Sequence, residues 1–79
     1  MSPTIFRDGS FRFYFFSREE ARMHVHVQCP DGEAKFWLEP AITVAHNYRL
    51  SGQQVRAAQQ PVEAHADEIR SACRKHFAS

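Results

Sequence analysis

The chain reads MHVHVQCPDGEAKFWLE from Met23 to Glu39, two runs in which apolar and polar residues alternate on either side of Asp31-Gly32. Alternation with a period of two is typical of β-strands that have one buried face. Asp-Gly between two such runs is a strong hairpin signal, because a type I′ turn needs a positive φ at both central residues. The stretch therefore predicts a β-hairpin with Asp31-Gly32 as its two-residue loop.

The register of this hairpin decides which side chains share a face. A two-residue loop opposes Pro30 to Glu33, and the polar residues that then face each other are Gln28 with Lys35, His26 with Trp37, and His24 with Glu39. A three-residue loop would shift the pairing by one residue and mix apolar with polar side chains on both faces. We therefore expect the two-residue loop, with one apolar and one polar face.

Length and composition limit the class of protein. A chain of 79 residues allows a single domain, residues 1–79. With 43% apolar and 13% aromatic residues it is too apolar for a disordered tail. No stretch approaches the roughly 18 consecutive apolar residues of a membrane-spanning helix, so we expect no membrane segment. Ten basic and nine acidic residues give a net charge of +1, which selects no class of partner.

The amino terminus and the two cysteines bear on the cellular compartment. Residues 1–4 lack the basic region and the apolar stretch of a secretory signal, so we expect a cytoplasmic protein. Cys29 and Cys73 fit the spacing of neither a zinc ribbon nor a Cys-x-x-Cys redox pair. We expect both to be reduced and to pack as small apolar side chains. We expect no cofactor.

Two further strands precede this hairpin and one follows it. A second Asp-Gly, Asp8-Gly9, predicts another hairpin, with Arg7 opposite Ser10 and four phenylalanines of residues 6–15 on its apolar face. The charged residues 17–22 predict a loop between the two hairpins. Residues 41–45 predict a short additional strand.

The carboxy-terminal third has a helical pattern. From Ser51 onward apolar residues recur every three or four positions, which predicts a helix that has Ser51 as its N-cap. Pro61 lies inside this run, where proline costs about 3 kcal/mol. We therefore expect one kinked helix or two nearly collinear helices, with the break just before Pro61.

These elements together predict an α+β domain. A small antiparallel sheet of four to five strands, two hairpins plus a short strand, covers about residues 3–46. The kinked helix or helix pair, about residues 51–77, packs on its apolar face. The other face is left to solvent or to a partner. The candidate binding residues on that face are His24, His26, Gln28, Lys35, Trp37 and Glu39.

A metal site is one interpretation of this face. His24 and His26 lie two residues apart on one strand, so their rings project from the same side, roughly 7 Å apart at the backbone. Glu39 opposite His24 would be a third ligand, with water completing a tetrahedral zinc site. Because His-x-His alone is a weak signal, a metal site and a metal-free binding face both stay open.

A nucleic-acid surface is another interpretation. Lys35 and Trp37, with Arg12 and Arg22 nearby, would hold phosphates and stack on a base. His26 next to Lys35 could act as acid or base in RNA cleavage. The sequence has neither a glycine-rich phosphate loop nor a nucleophile elbow. Whether the protein is an enzyme stays open.

Three more histidines lie outside the hairpin. His65 falls on the apolar seam of the helix, so we expect it to be at least half-buried and hydrogen-bonded to the backbone, to Asp67 or to Glu68. His46 and His76 lie near the ends of elements, and we expect both in solvent.

Five segments carry a resemblance to a known family: Pro3–Phe6, Phe13–Ser17, His24–Val27, Gly32–Pro40 and His65–Ile69. Together they resemble a family of short bacterial proteins, domain of unknown function 4160. The family usually has prolines just before the first histidine, where this chain has Ala21-Arg22-Met23. The family also usually has a tryptophan near the position of Cys73, where this chain has none. The positions that match the family signal are His24, His26, Lys35, Trp37 and His65.

The resemblance implies a partner-binding role, because members are often encoded beside another small protein and are sometimes labelled toxin–antitoxin components. The leading prediction is a binding module whose polar face contacts a small protein partner, the product of an adjacent gene in a toxin–antitoxin-like pair. The alternatives are an RNA-binding or RNA-cleaving toxin and a divalent-metal-binding protein. An edge strand of the sheet could also pair with a second copy.

Overall fold

A computed structural model of the chain describes residues 4–15 and 22–78. The elements, in chain order, are β1 (Thr4–Asp8), β2 (Phe11–Tyr14), β3 (His24–Cys29), β4 (Gly32–Trp37), β5 (Thr43–Tyr48), α1 (Gly52–Ala64) and α2 (Ala66–Ala78). The loop predicted for residues 17–22 lies outside the described residues except for Arg22.

The strands form an antiparallel meander in the order β1-β2-β3-β4-β5. The core lies between one face of this sheet and the helices, and its fully buried members include Phe13, Val27 and Phe36 from the strands and Val62 and Ile69 from the helices. The predicted α+β arrangement is therefore confirmed. The sheet has five strands and reaches Tyr48, two residues beyond the predicted end.

The turn between β3 and β4 differs from the prediction. Cys29 pairs with Gly32, so the loop residues are Pro30 and Asp31, and the register is offset by two residues. Pro30 explains the difference: proline cannot donate in a ladder, and it favours the second position of a type I turn that has glycine at its fourth. Neither Asp31 nor Gly32 has a positive φ, so the predicted type I′ turn is wrong.

The register of the first hairpin is also offset by two residues, but in the opposite direction. Asp8 pairs with Phe11, which makes Gly9 and Ser10 the loop. Gly9, with φ 59°, supplies the positive φ that a type II′ turn needs at its first central position. A register shift between Thr4 and Phe6 marks a β-bulge at Ile5. Because of the bulge, both Ile5 and Phe6 pack against the core.

The helical region consists of two helices, but the break is not where the sequence predicted it. Ser51 is the N-cap and forms a capping box with Gln54, as its position predicts. α1 continues through Pro61 and ends at Ala64, with His65 as its C-cap. The backbone N–H of His65 donates to the Pro61 carbonyl at 3.0 Å, so the carbonyl of the proline takes part in helical hydrogen bonding. Pro61 is buried, and its burial offsets its cost in the helix.

β5 forms an edge of the sheet and is less covered than the other strands. Val44 is 42% and Tyr48 54% exposed, the only strongly exposed large apolar side chains of the described part of the chain. Asn47 fixes the far end of the strand through hydrogen bonds to the backbone N–H and carbonyl of Leu50, at 3.0 and 2.9 Å. Neither of the two described helices is long and apolar enough to cross a membrane.

Candidate functional site

The sheet face opposite the helices carries most of the residues that the sequence singled out. In an antiparallel sheet, directly opposed residues point to the same side. The observed pairings place the following side chains together on what we call the polar face: Arg12, Tyr14, His24, His26, Gln28, Glu33, Lys35, Trp37, His46 and Tyr48.

Five of the six predicted binding residues share this face. The pairs differ from those predicted, because His24 lies opposite Trp37, His26 opposite Lys35, and Gln28 opposite Glu33. An offset of two residues exchanges the partners but leaves each side chain on its face. Glu39, the sixth residue, follows the end of β4 and is not paired with His24.

Glu39 instead anchors the segment that enters β3. Its carboxylate accepts a hydrogen bond from the backbone N–H of Met23 at 3.3 Å, and its carbonyl accepts one from Nε of Arg22 at 3.0 Å. Between Glu39 and Trp37, the carbonyl of buried Leu38 accepts two hydrogen bonds from the Arg70 guanidinium of α2, at 3.0 and 2.7 Å. The helix layer thus fixes the end of β4 where Trp37 lies.

A chain of ring contacts crosses the polar face. The rings of Tyr14 and His26 stack with centroids 5.4 Å apart, His26 meets His24 edge-on at 5.2 Å, and His24 meets Trp37 edge-on at 6.0 Å. His24 is fully buried. Its Nδ1 lies 2.7 Å from the Arg22 carbonyl, which can only accept, so Nδ1 carries the proton and donates. His24 therefore supports its neighbours and is closed to solvent.

Two cations lie over the Trp37 ring. The Arg22 guanidinium carbon is 4.2 Å and the Lys35 Nζ 4.6 Å from the ring centroid. Both distances are within the range of cation–π attraction. We call Arg22, Lys35 and Trp37 the tryptophan cluster. Its geometry follows from the cross-strand pairing of β3 with β4 and from the hold of Glu39 on Arg22.

Arg12 is fixed at the other end of the face. Its Nε donates to Oγ1 of Thr4 at 2.6 Å, its Nη1 donates to Oε1 of Gln28 at 3.4 Å, and its guanidinium carbon lies 4.6 Å from the centre of the Tyr14 ring. Gln28, predicted as a contact residue, thus has an intramolecular partner.

Sequence reasoning did not assign Glu33, His46 or Tyr48 to the face, and of these three His46 adds a nitrogen-bearing ring. His46 lies directly opposite Lys35, which lies opposite His26, so three nitrogen-bearing side chains stand abreast on β3, β4 and β5. His46 is exposed, and all three line a shallow cavity of about 350 Å³. A sequence signal existed, because His46 and Tyr48 are two residues apart and would share a face of a strand. The prediction ended the strand at residue 45, so this alternation was not used.

The predicted metal ligands and His65 do not form a common site. The metal alternative requires His24, His26 and Glu39 to converge, and within residues 4–15 and 22–78 no group of three His, Cys, Asp or Glu side chains is arranged to hold a metal ion. The side chain of His65 is 48% exposed, which is at the limit of the half-burial expected, and Glu68, one of the predicted partners, lies 3.3 Å away. Its ring contacts Phe6, with centroids 5.1 Å apart.

Both cysteines are free and lie on the core side of the sheet. Burial raises the pKa of the Cys73 thiol above its ordinary value of 9.0, an effect opposed by a hydrogen bond with the backbone of His24. The thiol is therefore neutral at physiological pH and behaves as an apolar core group.

Fold and site together define a small α+β domain with a helix-covered core and an open sheet face that combines aromatic rings with cations. Residues 10–72 match the family described as Domain of unknown function (DUF4160), and the chain belongs to this family. The match includes every residue of the polar face. No curated protein and no solved structure shows significant similarity to the chain.

Proposed function

We propose that the chain is a binding module that contacts a small protein partner through its polar face, with the tryptophan cluster at the centre of the contact. In this proposal the partner is the product of an adjacent gene, and the two form a cytoplasmic toxin–antitoxin-like pair. The observation that carries the proposal is the Trp37 ring with the cations of Arg22 and Lys35 at 4.2 and 4.6 Å.

Such a cluster has the composition of an interface hot spot. Tryptophan, tyrosine and arginine dominate the residues whose truncation most weakens protein complexes. The cluster is also organised before binding, because Glu39 holds Arg22 and the buried His24 ring makes a T-shaped contact with the Trp37 ring. Side chains that are already ordered lose less conformational entropy on association, so more of the contact energy appears as affinity.

The same geometry favours a protein over single-stranded RNA. A base would have to stack on the Trp37 ring, where Arg22 and Lys35 already lie within 4.6 Å of the centroid. Glu33 and a net charge of +1 also oppose a continuous phosphate backbone. A protein surface that presents one acidic group next to one apolar side chain can contact the tryptophan cluster without displacing the cations of Arg22 and Lys35.

The test is a calorimetric titration of the chain with the product of the adjacent gene. Trp37→Ala should weaken the complex by about 2 kcal/mol, roughly 30-fold in Kd, because that is the lower bound for a hot-spot residue. Val44→Ala is the control, since Val44 is an exposed apolar residue of β5 that lies outside the polar face, and its truncation should change Kd less than threefold.

Circular dichroism of both variants checks that the fold is intact. Equal affinity of Trp37→Ala and the unmodified chain would remove the proposal. Tight binding of a short single-stranded RNA, or its cleavage in a manner that depends on His26, would replace the proposal with the RNA alternative.

A further inference from the structure

We propose that His26, Lys35 and His46 form a pocket for a single carboxylate, an aspartate or glutamate side chain or a chain terminus of the protein partner. This inference rests on the proposed function and names the chemistry by which the partner is recognised.

His26, Lys35 and His46, which we call the histidine row, lie side by side because of the strand register. His26 lies opposite Lys35 on β3 and β4, and Lys35 lies opposite His46 on β4 and β5. Opposed residues have Cβ atoms about 5 Å apart, so the three side chains span roughly 10 Å across the sheet. That width matches one small polar group seated over Lys35 with an imidazole on either side. The cavity of about 350 Å³ that these residues line is open to solvent.

The donors suit an oxyanion. Lysine carries a positive charge and has donors only, and each imidazole has at least one ring N–H in every protonation state. A carboxylate has two oxygens and about four acceptor sites, enough for Lys35 and both histidines at once. Lys35 belongs to both the row and the tryptophan cluster, so an acidic group here would lie next to an apolar contact on Trp37.

Glu33 decides between a carboxylate and a phosphate. It lies two residues from Lys35 on the same strand and lines the same cavity. Its negative charge lowers the positive potential of the row, which a group of charge −1 tolerates better than a phosphate dianion. Arg12, the next cation along the face, is held by Thr4 and Gln28, so a polyanion finds no continuous track of cations.

The test measures binding of acetate by nuclear magnetic resonance of the intact chain labelled with nitrogen-15, at constant pH and with chloride matching the ionic strength. Acetate should shift the ring signals of His26 and His46, whereas the exposed ring of His65 reports nonspecific effects. Lys35→Met should weaken acetate binding at least fivefold, and Lys35→Arg should restore it. Arg56→Met, which removes one cation from an exposed site on α1, should leave it unchanged.

The inference would be overturned if acetate shifted the signals of His26, His46 and His65 equally or shifted none of them. An effect of Arg56→Met on acetate binding equal to that of Lys35→Met would also overturn it. Inorganic phosphate or short single-stranded RNA that bound the row more tightly than acetate would overturn it in favour of a nucleic-acid site. The acetate experiment needs no partner, so its failure is distinguishable from the failure of the Trp37→Ala titration.

Discussion

Replacing Gly32 by alanine tests how closely the β3–β4 turn packs on the end of β5. A Cβ built on Gly32 would overlap the carbonyl oxygen of Tyr48 and would lie 3.0 Å from Cβ of Arg49. Both neighbours are backbone or backbone-adjacent atoms, so no flexible side chain can move aside. Because Gly32 does not have a positive φ, the expected penalty comes from this steric overlap and not from backbone conformation.

The size of the penalty follows from the movement required. Ordinary van der Waals contacts are about 3.5 Å or longer, so the turn and the β5 terminus must separate by more than about 1 Å. Overpacking of this kind costs about 1–3 kcal/mol, a large part of the total stability of a small domain. Each kcal/mol corresponds to a fall in Tm of about 4–8 °C for a domain of this size.

Urea and thermal denaturation followed by circular dichroism measure the effect. Gly52→Ala is the control, since its Cβ would meet only the flexible Arg56 side chain at 3.4 Å, and alanine in a helix is favoured over glycine by roughly 0.5–1 kcal/mol. Gly32→Ala should therefore unfold at lower urea and Gly52→Ala at equal or higher urea than the unmodified chain. A Gly32→Ala variant within about 0.5 kcal/mol of the unmodified chain would refute this account of the turn.

Three further predictions concern the helices. Ser51→Ala removes the side-chain acceptor of the capping box and should cost about 1 kcal/mol, measured by urea denaturation; a neutral result would contradict a stabilising cap. Ile69→Ala should cost about 2–5 kcal/mol and Ile69→Val about 0.5–1.5 kcal/mol, because Ile69 is fully buried; equal costs would argue against tight packing there. Since burial raises the pKa of Cys73 in the folded chain, its contribution to stability is fully present below pH 9.0 and is lost as the pH rises through the higher folded pKa. The free energy of unfolding should therefore fall more steeply above pH 9.0 in the unmodified chain than in Cys73→Ala, and parallel curves would exclude this linkage.

The sequence predicted the faces of the sheet better than the pairs within it. In both hairpins Asp-Gly indicated the turn, yet the loop begins one residue later in one case, at Gly9, and one residue earlier in the other, at Pro30. Both registers are offset by two residues, which preserves the alternation of faces. Local turn preference left the choice open, and the ring of Pro30 decided it in the second hairpin.

Tertiary contacts account for the remaining differences. The break between the helices falls at His65 and not at Pro61, since Pro61 is buried together with Ala58 and Val62 of the same helix. Glu39 followed the alternation and was assigned to the binding face, whereas its hydrogen bonds to Arg22 and Met23 are long-range. His46 was missed because β5 has little apolar patterning, since five of its six residues are exposed.

The high solvent exposure of β5 has a consequence for the dynamics of the sheet. Segments with few buried side chains open locally at a lower free energy than global unfolding requires. β5 contributes His46, whereas His26 and Lys35 belong to strands with buried residues on their core face. Fluctuations that detach β5 would therefore remove one side of the histidine row while the tryptophan cluster, on β4 and the entry to β3, stays in place. A ligand that bridges all three strands would bind preferentially to the closed sheet and slow the exchange of the β5 amide hydrogens with solvent.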